Sequence, residues 1–249
     1  MKVLRLSTSS ESEGSTPPEL RARAVAERAI AEASGEPVET VVKFIWPDPR
    51  LPGLVERWLK EHEPDAVLIK VASYTVCKTS VALRLAPRHR RVARAVERIG
   101  ATRLVAFGLP RVPGWGLVQR GLRRTVGVSG FFEPADVART IEETMRCVLQ
   151  RERVALVVRA PTRPPYVTED GGRSEAVKRW QELFDTLAAT CRALHVTYLA
   201  EDAAWTDEQI LATRAPDQAH WGDLGHRVYG EAEGQALLDA WRETFAPAR

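Results

Sequence analysis

The sequence has few cysteines, little net charge and no long apolar run, and each shortage excludes a class of protein. Its three cysteines, Cys77, Cys147 and Cys191, lie far apart among 249 residues, so a disulfide framework is not expected. No stretch of about twenty apolar residues is present, so no membrane span is predicted. A net charge of +3 is too small to suggest nucleic acid as a partner. No signal-peptide pattern is visible, and we expect a cytoplasmic protein.

The chain also lacks the glycine-rich loops G-x-G-x-x-G and G-x-x-x-x-G-K-[ST], which argues against a nucleotide-binding protein. What it has is an alternation of strand and helix patterns. Apolar, β-branched runs predict strands at residues 2–6, 38–45, 66–71, 154–158 and 195–199. Helical patterns occur at residues 19–34, 54–61, 88–98, 134–150, 173–192 and from Asp223 onward. Residues 103–107 fit either structure.

This alternation predicts one α/β domain over residues 1–249, a three-layer α/β/α sandwich around a mostly parallel sheet. Ligands of such folds bind at the carboxyl ends of the strands. The last helix is expected to bury an apolar side formed by Leu224, Val228, Leu237, Leu238 and Trp241.

A carboxylate and an imidazole stand close together just before that last helix. Asp217 precedes His220 by three residues, with Pro216 and Gly222 favouring a tight loop around them. A carboxylate that holds one ring nitrogen fixes the tautomer and leaves the other nitrogen free to accept a proton. The pair is therefore a candidate for an orienting acid and a general base.

A candidate nucleophile stands at the other end of the chain. The first strand runs into a serine-rich turn that contains Ser9, Ser10 and Ser12 and ends at Gly14. Such a turn between a strand and a helix exposes hydroxyls and backbone N–H groups, which are the components of an acyl-transfer site. Ser10 could equally be an ordinary turn serine, since serine is common in turns.

Both ends of the chain resemble the SGNH/GDSL hydrolases, which have a flavodoxin-like fold. The first motif of that family is G-D-S-x-x-x-G, and Ser10 and Gly14 fall on its serine and last glycine, although Thr8 and Ser9 replace its first two residues. Asp217, His220 and Gly225 match its last motif, D-x-x-H followed by a glycine. The resemblance implies a cofactor-independent Ser10–His220–Asp217 triad, with Ser10 favoured over Ser9 as the nucleophile.

The oxyanion-hole motifs of the family match less well. Where the family has G-x-N-D after the third strand, this chain has Ala72-Ser73-Tyr74-Thr75, so Tyr74 stands in place of the asparagine. The family glycine after the second strand has Gly53 as its nearest counterpart. Ser9, Gly53, Ser73 and Tyr74 are therefore the candidates for the oxyanion hole or substrate contacts. The tyrosine hydroxyl extends too far to replace the amide directly, which predicts slow hydrolysis of generic short esters.

A basic segment rich in glycine and proline occupies about residues 100–133. Residues 87–124, which cover the preceding helical pattern and most of this segment, carry ten arginines against the single acid Glu97, and Arg120, Arg123 and Arg124 stand close together. One interpretation is a solvated connection. The other is an insertion or lid over the site that attracts an anionic substrate, an acidic carrier or a membrane surface.

Two functional hypotheses follow. The first is a serine hydrolase or acyltransferase that acts without a cofactor on a small ester, with an anionic or carrier-bound ester as one option. The second is a binding or scaffold protein that retains the fold but has weakened chemistry, as the changes at Thr8, Ser9 and Tyr74 would allow. A metal cluster of Asp217, His220, Asp223 and His226 is disfavoured, since Pro216 and Gly222 interrupt the helix it would need.

Overall fold

The computed structural model describes residues 1–8, 16–77, 125, 131–163, 173–215 and 220–246. In this part of the chain, the strands form one parallel sheet with the order β2-β1-β3-β4-β5. They are β1 (Lys2–Ser7), β2 (Glu39–Phe44), β3 (Ala66–Lys70), β4 (Ala155–Arg159) and β5 (Thr197–Leu199). The helices are α1 (Ala22–Ser34), α2 (Leu51–His62), α3 (Tyr74–Cys77), α4 (Pro134–Leu149), α5 (Arg173–Ala193), α6 (Asp207–Ala212) and α7 (Asp223–Phe245). Short 3-10 turns occupy Pro18–Leu20 and Glu201–Ala204.

Helices cover both faces of the sheet, as the alternation of patterns predicts. Successive strand residues point to opposite faces, so β1 sends Leu4 and Leu6 toward α2, α4 and α5, while Val3 faces α1 and α7. The first face packs against apolar helix residues that include Val55, Met145 and Leu183. We call it the apolar face, and the face under α1 and α7 the charged face, because it also buries Arg5, Lys70 and Arg159.

The inner side of α7 differs from the prediction. Leu237 and Leu238 are buried as expected, but Leu224 is 40% exposed. The first half of the helix instead buries Gly225, His226, Tyr229, Gly230 and Glu233. Hydrophobicity alone points to the wrong side here because close helix contact and charge pairing decide the packing.

A close helix contact at a glycine and an ion pair explain which residues α7 buries. A Cβ on Gly230 would lie 2.7 Å from the carbonyl oxygen of Ala22 in α1, so this position needs glycine for the two helices to pack. One turn later, Glu233 pairs with the guanidinium of Arg5 in β1.

The other boundaries differ by a few residues. Helix α2 begins at Leu51, three residues before the predicted start at Leu54. Pro52 lies in its first turn, where proline does not interrupt a helix. Strand β5 begins at Thr197, since His195 has a left-handed φ of 54°. Helix α6 was not predicted, although Thr206 and Gln209 form the capping box that marks its start. The predicted helix 88–98, residues 103–107 and nearly all of segment 100–133 lie outside the described residues.

Candidate functional site

The connections that leave β1, β2 and β3 meet at the carboxyl edge of the sheet. The backbone N–H of Ile45, just after β2, donates to the carbonyl of Ser7 at the end of β1 over 2.9 Å. A small cavity at this edge is lined by Thr8, Ile45, Pro47, Lys70, Val71, Ala72, Thr75 and Ile141. Strand β1 ends here at Ser7, and Thr8 is the last described residue before Ser10 in the sequence.

The flanks of the serine turn are anchored on both sides. Residues 9–15, which include Ser9, Ser10 and Gly14, lie outside the described residues, but Thr8 and Thr16 are described and both are buried. The Thr16 hydroxyl donates to Asp223 Oδ1 over 2.6 Å, and Asp223 is the first residue of α7. The end of the serine turn is therefore tied to the helix that follows His220.

The His220 segment forms a closed hairpin-like loop. The N–H of Ala215 donates to the carbonyl of His220 over 3.0 Å, and the N–H of Gly222 donates to the carbonyl of Thr213 over 2.9 Å. The loop tip, residues 216–219, lies outside the described residues and contains Asp217. The backbone bonds fix Ala215 and His220, the described residues on either side of 216–219, and α7 begins at Asp223, as predicted.

A glycine sets how closely α7 approaches this loop. A Cβ on Gly225 would lie 2.2 Å from the carbonyl oxygen of Thr213, closer than any real contact. The resemblance assigned Gly225 to the last motif, and the structure gives the physical reason for glycine at this position. The hairpin and the first turn of α7 could not pack together with a larger residue there.

Trp221, the residue after His220, holds this loop against the sheet through its buried side chain. Its side chain is 2% exposed, and the Lys70 ammonium nitrogen lies 3.2 Å from the centroid of its ring. The centroid of the Tyr229 ring lies 4.3 Å from that of Trp221, and the Arg159 guanidinium lies 5.5 Å from the same centroid. A desolvated cation over a tryptophan face is worth about 2 kcal/mol or more. The residue after His220 is thus held by two strands and α7.

Trp221 belongs to a buried network of cations and carboxylates that sequence reasoning missed. Arg5 pairs with Glu233, and Arg159 lies 3.4 Å from Glu233 and 2.7 Å from Glu201. Burial by itself lowers the pKa of Arg159, but the nearby carboxylates, chiefly Glu233 and then Glu201, outweigh it and raise that pKa above its usual value. The network is a set of paired charges, as burial requires.

A sequence signal for the network did exist. Arg5, Lys70 and Arg159 each interrupt, or directly follow, an apolar run that reads as a central strand. Cations are almost never fully buried unless they are paired. Three of them at strand ends would have predicted buried acidic partners on one face.

The other sequence candidates follow β2 and β3. Tyr74 begins α3, and its ring centroid lies 5.8 Å from that of Trp46. Ser73 precedes it, and the carbonyl of Ser73 accepts from the N–H groups of Val76 and Cys77. Gly53 lies in the first turn of α2, where it is exposed and an added Cβ would meet no atom within 4 Å. Neither packing nor a left-handed φ requires glycine at position 53.

The described residues that flank the predicted basic insertion lie beside the same edge. Residues 78–124 and 126–130, with Arg120, Arg123 and Arg124, lie outside the described residues. The N–H of Phe132 donates to the carbonyl of Thr75 over 3.2 Å, and the Arg179 guanidinium donates to the carbonyls of Val76 and Phe132. The insertion therefore leaves and rejoins the described chain at neighbouring points, and the lid stays a prediction.

The described residues contain no group of three or more His, Cys, Asp or Glu side chains that could hold a metal ion. Of the proposed cluster, Asp223 accepts the Thr16 hydroxyl, and Nδ1 of His226 accepts the N–H of Ala22 over 3.1 Å. Cys77 and Cys191 are buried core residues, and Cys147 is partly buried. In the same part of the chain, no helix is both long and apolar enough to cross a bilayer.

No family model and no curated protein matches the sequence. Solved structures do match. The carbohydrate acetylesterase Est24 from Sinorhizobium meliloti is 13% identical, with a TM-score of 0.54 over 98% of this chain and 99% of that one. The aryl esterase of M. smegmatis is 13% identical, with a TM-score of 0.55 over 96% and 99% of the chains. Esterase EstA from Pseudoalteromonas sp. is 10% identical, with a TM-score of 0.53 over 97% and 98%. The protein thus has the three-layer α/β/α fold of SGNH-type esterases, and the predicted fold class is confirmed.

Proposed function

We propose that this chain is a serine-dependent ester hydrolase or acyltransferase in which Ser10 is the nucleophile, His220 the base and Asp217 the residue that orients His220. One observation carries the proposal, namely the bond from Thr16 to Asp223. It ties the end of the serine turn to α7, three residues after His220. Two peptide units separate Thr8 from Ser10, and two separate Ala215 from Asp217. Chain connectivity therefore supports a meeting of all three side chains at this edge.

The chemistry requires only these side chains and backbone donors. Ser10 Oγ attacks the acyl carbon while its proton passes to His220, and the carbonyl oxygen becomes an oxyanion. Collapse of this intermediate breaks the bond to the alcohol, which takes the proton from His220 and leaves an acyl-enzyme. Water or another acceptor then attacks in the same manner and restores Ser10. Asp217 holds the imidazole in the tautomer that each step needs.

The oxyanion hole is the weakest part of the proposed site. We assign its main donor to the backbone N–H of Ser10, with Ser9, Ser73 and Tyr74 as neighbouring candidates. Tyr74 packs beside Trp46, and its hydroxyl stands farther from the backbone than the asparagine amide of the family. Gly53 has no structural need to be glycine, and we give it the lowest place among the candidates. One missing donor costs about 2.7–4 kcal/mol of barrier.

The substrate class follows from the fold and the site together. The similar solved structures are esterases, among them a carbohydrate acetylesterase and an aryl esterase, which supports a small ester as substrate. The arginines of the insertion would favour an anionic or carrier-bound ester. Hydrolysis and acyl transfer share the acyl-enzyme and differ only in the acceptor.

A binding or scaffold protein is the second candidate. The observation that favours it is the Tyr74 ring against Trp46, at the position where the family has its oxyanion-hole asparagine. A site that lost this donor could retain the fold and a ligand pocket while turning over slowly.

A fluorophosphonate probe separates the two candidates, since it modifies only an activated serine. We expect stoichiometric labelling of the wild type, with the added mass on the peptide that contains Ser10. Ser10→Ala should abolish labelling, whereas the matched control Ser12→Ala, two residues away in the same turn, should label normally. A folded wild type that takes up no probe would support the scaffold and contradict the hydrolase.

A further inference from the structure

Beneath the His220 loop lies a buried ammonium group in contact with the residue that follows His220. Lys70, the last residue of β3, is 6% exposed, and its nitrogen lies 3.2 Å from the Trp221 ring centroid. A desolvated ammonium over an indole face attracts the ring electrostatically, which an apolar side chain of the same length would not do.

Trp221 couples Lys70 directly to the candidate base. Trp221 forms an antiparallel bridge with Arg214. Its side chain is 2% exposed, whereas His220, one peptide unit earlier, is half-buried. Because the two residues are adjacent, a shift of Trp221 would move the backbone of His220 with it.

The contacts around the indole restrict that motion. Lys70 lies over the ring, Tyr229 packs at 4.3 Å, and His226 meets the ring edge-on at 5.7 Å. Tyr229 and His226 both belong to α7, whereas Lys70 and the more distant Arg159, 5.5 Å from the ring, belong to the sheet. Lys70 is thus the closer of these two sheet contacts that hold the indole relative to the strand ends.

We propose that Lys70 is a positioning residue for His220, and that it acts by holding the indole of Trp221 against the carboxyl end of β3. This role rests on the proposed function only in so far as His220 is the base, since the structural coupling does not depend on catalysis. Trp221 transmits the effect of Lys70 to His220. Neither residue needs to touch the substrate.

The test uses Lys70→Met, which keeps the length of the side chain and removes the charge, and Lys70→Arg, which restores a cation over the ring. The matched control is Lys43→Met, because Lys43 also lies over an indole, that of Trp58 at 5.8 Å, but on the edge strand β2. The measurements are kcat and KM for p-nitrophenyl acetate, thermal stability, and the imidazole NMR signals, with that of His220 identified by its loss in His220→Asn.

We expect Lys70→Met to lower kcat at least tenfold with KM changed less than twofold, and to move or broaden the His220 signal. Lys70→Arg should recover kcat to within about threefold, and Lys43→Met should leave kcat and the His220 signal unchanged. If Lys70→Met does not fold, Trp221→Phe replaces it, with a smaller loss of kcat in the same direction.

Unchanged kcat and an unchanged His220 signal in folded Lys70→Met would overturn the proposal. So would an equal loss of stability in the methionine and arginine variants with normal kcat in both, since that pattern describes a purely structural lysine. If the wild type neither binds the fluorophosphonate nor hydrolyses the ester, the proposed function fails. The NMR comparison of Lys70→Met with Lys43→Met then still decides the coupling.

Discussion

The two faces of the sheet bury opposite kinds of side chain. Under α2, α4 and α5 the strands contribute Leu, Ile and Val, which pack against residues such as Met145 and Leu183. Under α1 and α7 the same strands contribute Arg5, Lys70 and Arg159 near their carboxyl ends, with Glu233 among their partners. Apolar side chains of similar volume can replace one another in a core at little cost in stability. A buried charge is stable only when its partners are correctly placed. The face that supports His220 is the face with the stricter geometry.

The largest expected difference between the faces is in their response to single substitutions. Glu233→Gln leaves Arg5 and Arg159 buried with a partner removed, and we expect a loss of about 3–5 kcal/mol of unfolding free energy. Met145→Leu on the apolar face should cost less than about 1.5 kcal/mol. Urea unfolding of both variants measures the difference.

The double variant Arg5→Met/Glu233→Met sharpens this result. It removes an ion pair completely, and Arg159 retains Glu201, 2.7 Å away. Most of the lost stability should return, because no charge is left without a partner. A double variant that is less stable than Glu233→Gln would show that the network is not a set of compensating pairs.

The contact between α7 and the His220 hairpin gives the next largest effect. Gly225→Ala places a Cβ 2.2 Å from the Thr213 carbonyl oxygen, and displacing backbone should cost about 1–3 kcal/mol and lower esterase activity. Gly53→Ala is the control, since nothing lies within 4 Å of its added carbon. That change should stabilise the protein by about 0.4–1 kcal/mol. Equal stabilities of the two variants would contradict the close approach.

The thiols buried on the apolar face should make the protein less stable at alkaline pH. Burial raises the pKa of the Cys77 and Cys191 thiols to about 12 from an ordinary value of 9.0. Between these values the folded chain holds protons that the unfolded chain loses, so the free energy of unfolding falls as pH rises. The fall approaches about 1.4 kcal/mol per pH unit for each thiol.

Cys191→Ala isolates this contribution, since all other titrating groups are common to both proteins. Unfolding free energies at pH 8.5 and 10.5 should differ less in the variant than in the wild type. An identical pH dependence would mean that the Cys191 thiol ionises as easily in the folded protein as in the unfolded chain.

The smallest effect concerns Tyr74, on the loop after β3. Tyr74→Asn restores the amide donor of the family motif but removes the ring that packs beside Trp46. We expect the turnover of short p-nitrophenyl esters to rise by roughly threefold to tenfold, below the full worth of an oxyanion donor. A wild type that is already a fast generic esterase, or a variant that is slower, would show that Tyr74 does not limit the reaction.

The fold could be predicted because its signals are local. Apolar runs such as residues 66–71 and the alternation of patterns predict a parallel sheet with helices on both faces, and the structure has that arrangement. The inner side of α7 could not be predicted from hydrophobicity. Gly230 is buried because Ala22 approaches it, and Glu233 because Arg5 lies beneath it, and both partners are more than 200 positions away in the sequence.

The candidate site is a mixed case. Its motifs are short and local, so Ser10, Asp217 and His220 could be proposed from sequence, and their roles stay predictions. The support for His220 is not local: Trp221 packs on Lys70, which is 151 positions away, and no spacing rule connects the two. Long-range side-chain contacts of this kind become visible only in a folded chain.

The proposed function requires that the two ends of the chain form one catalytic unit, and a double-mutant cycle on kcat tests this requirement most directly. Ser10→Ala and His220→Asn should each lower esterase turnover by several orders of magnitude in folded protein. The control is His195→Asn, which changes a histidine outside the candidate site and should leave turnover unchanged. Because triad residues act together, the double variant should be little slower than either single variant. Losses that simply multiply in the double variant, or a Ser10→Ala enzyme with normal turnover, would contradict the account.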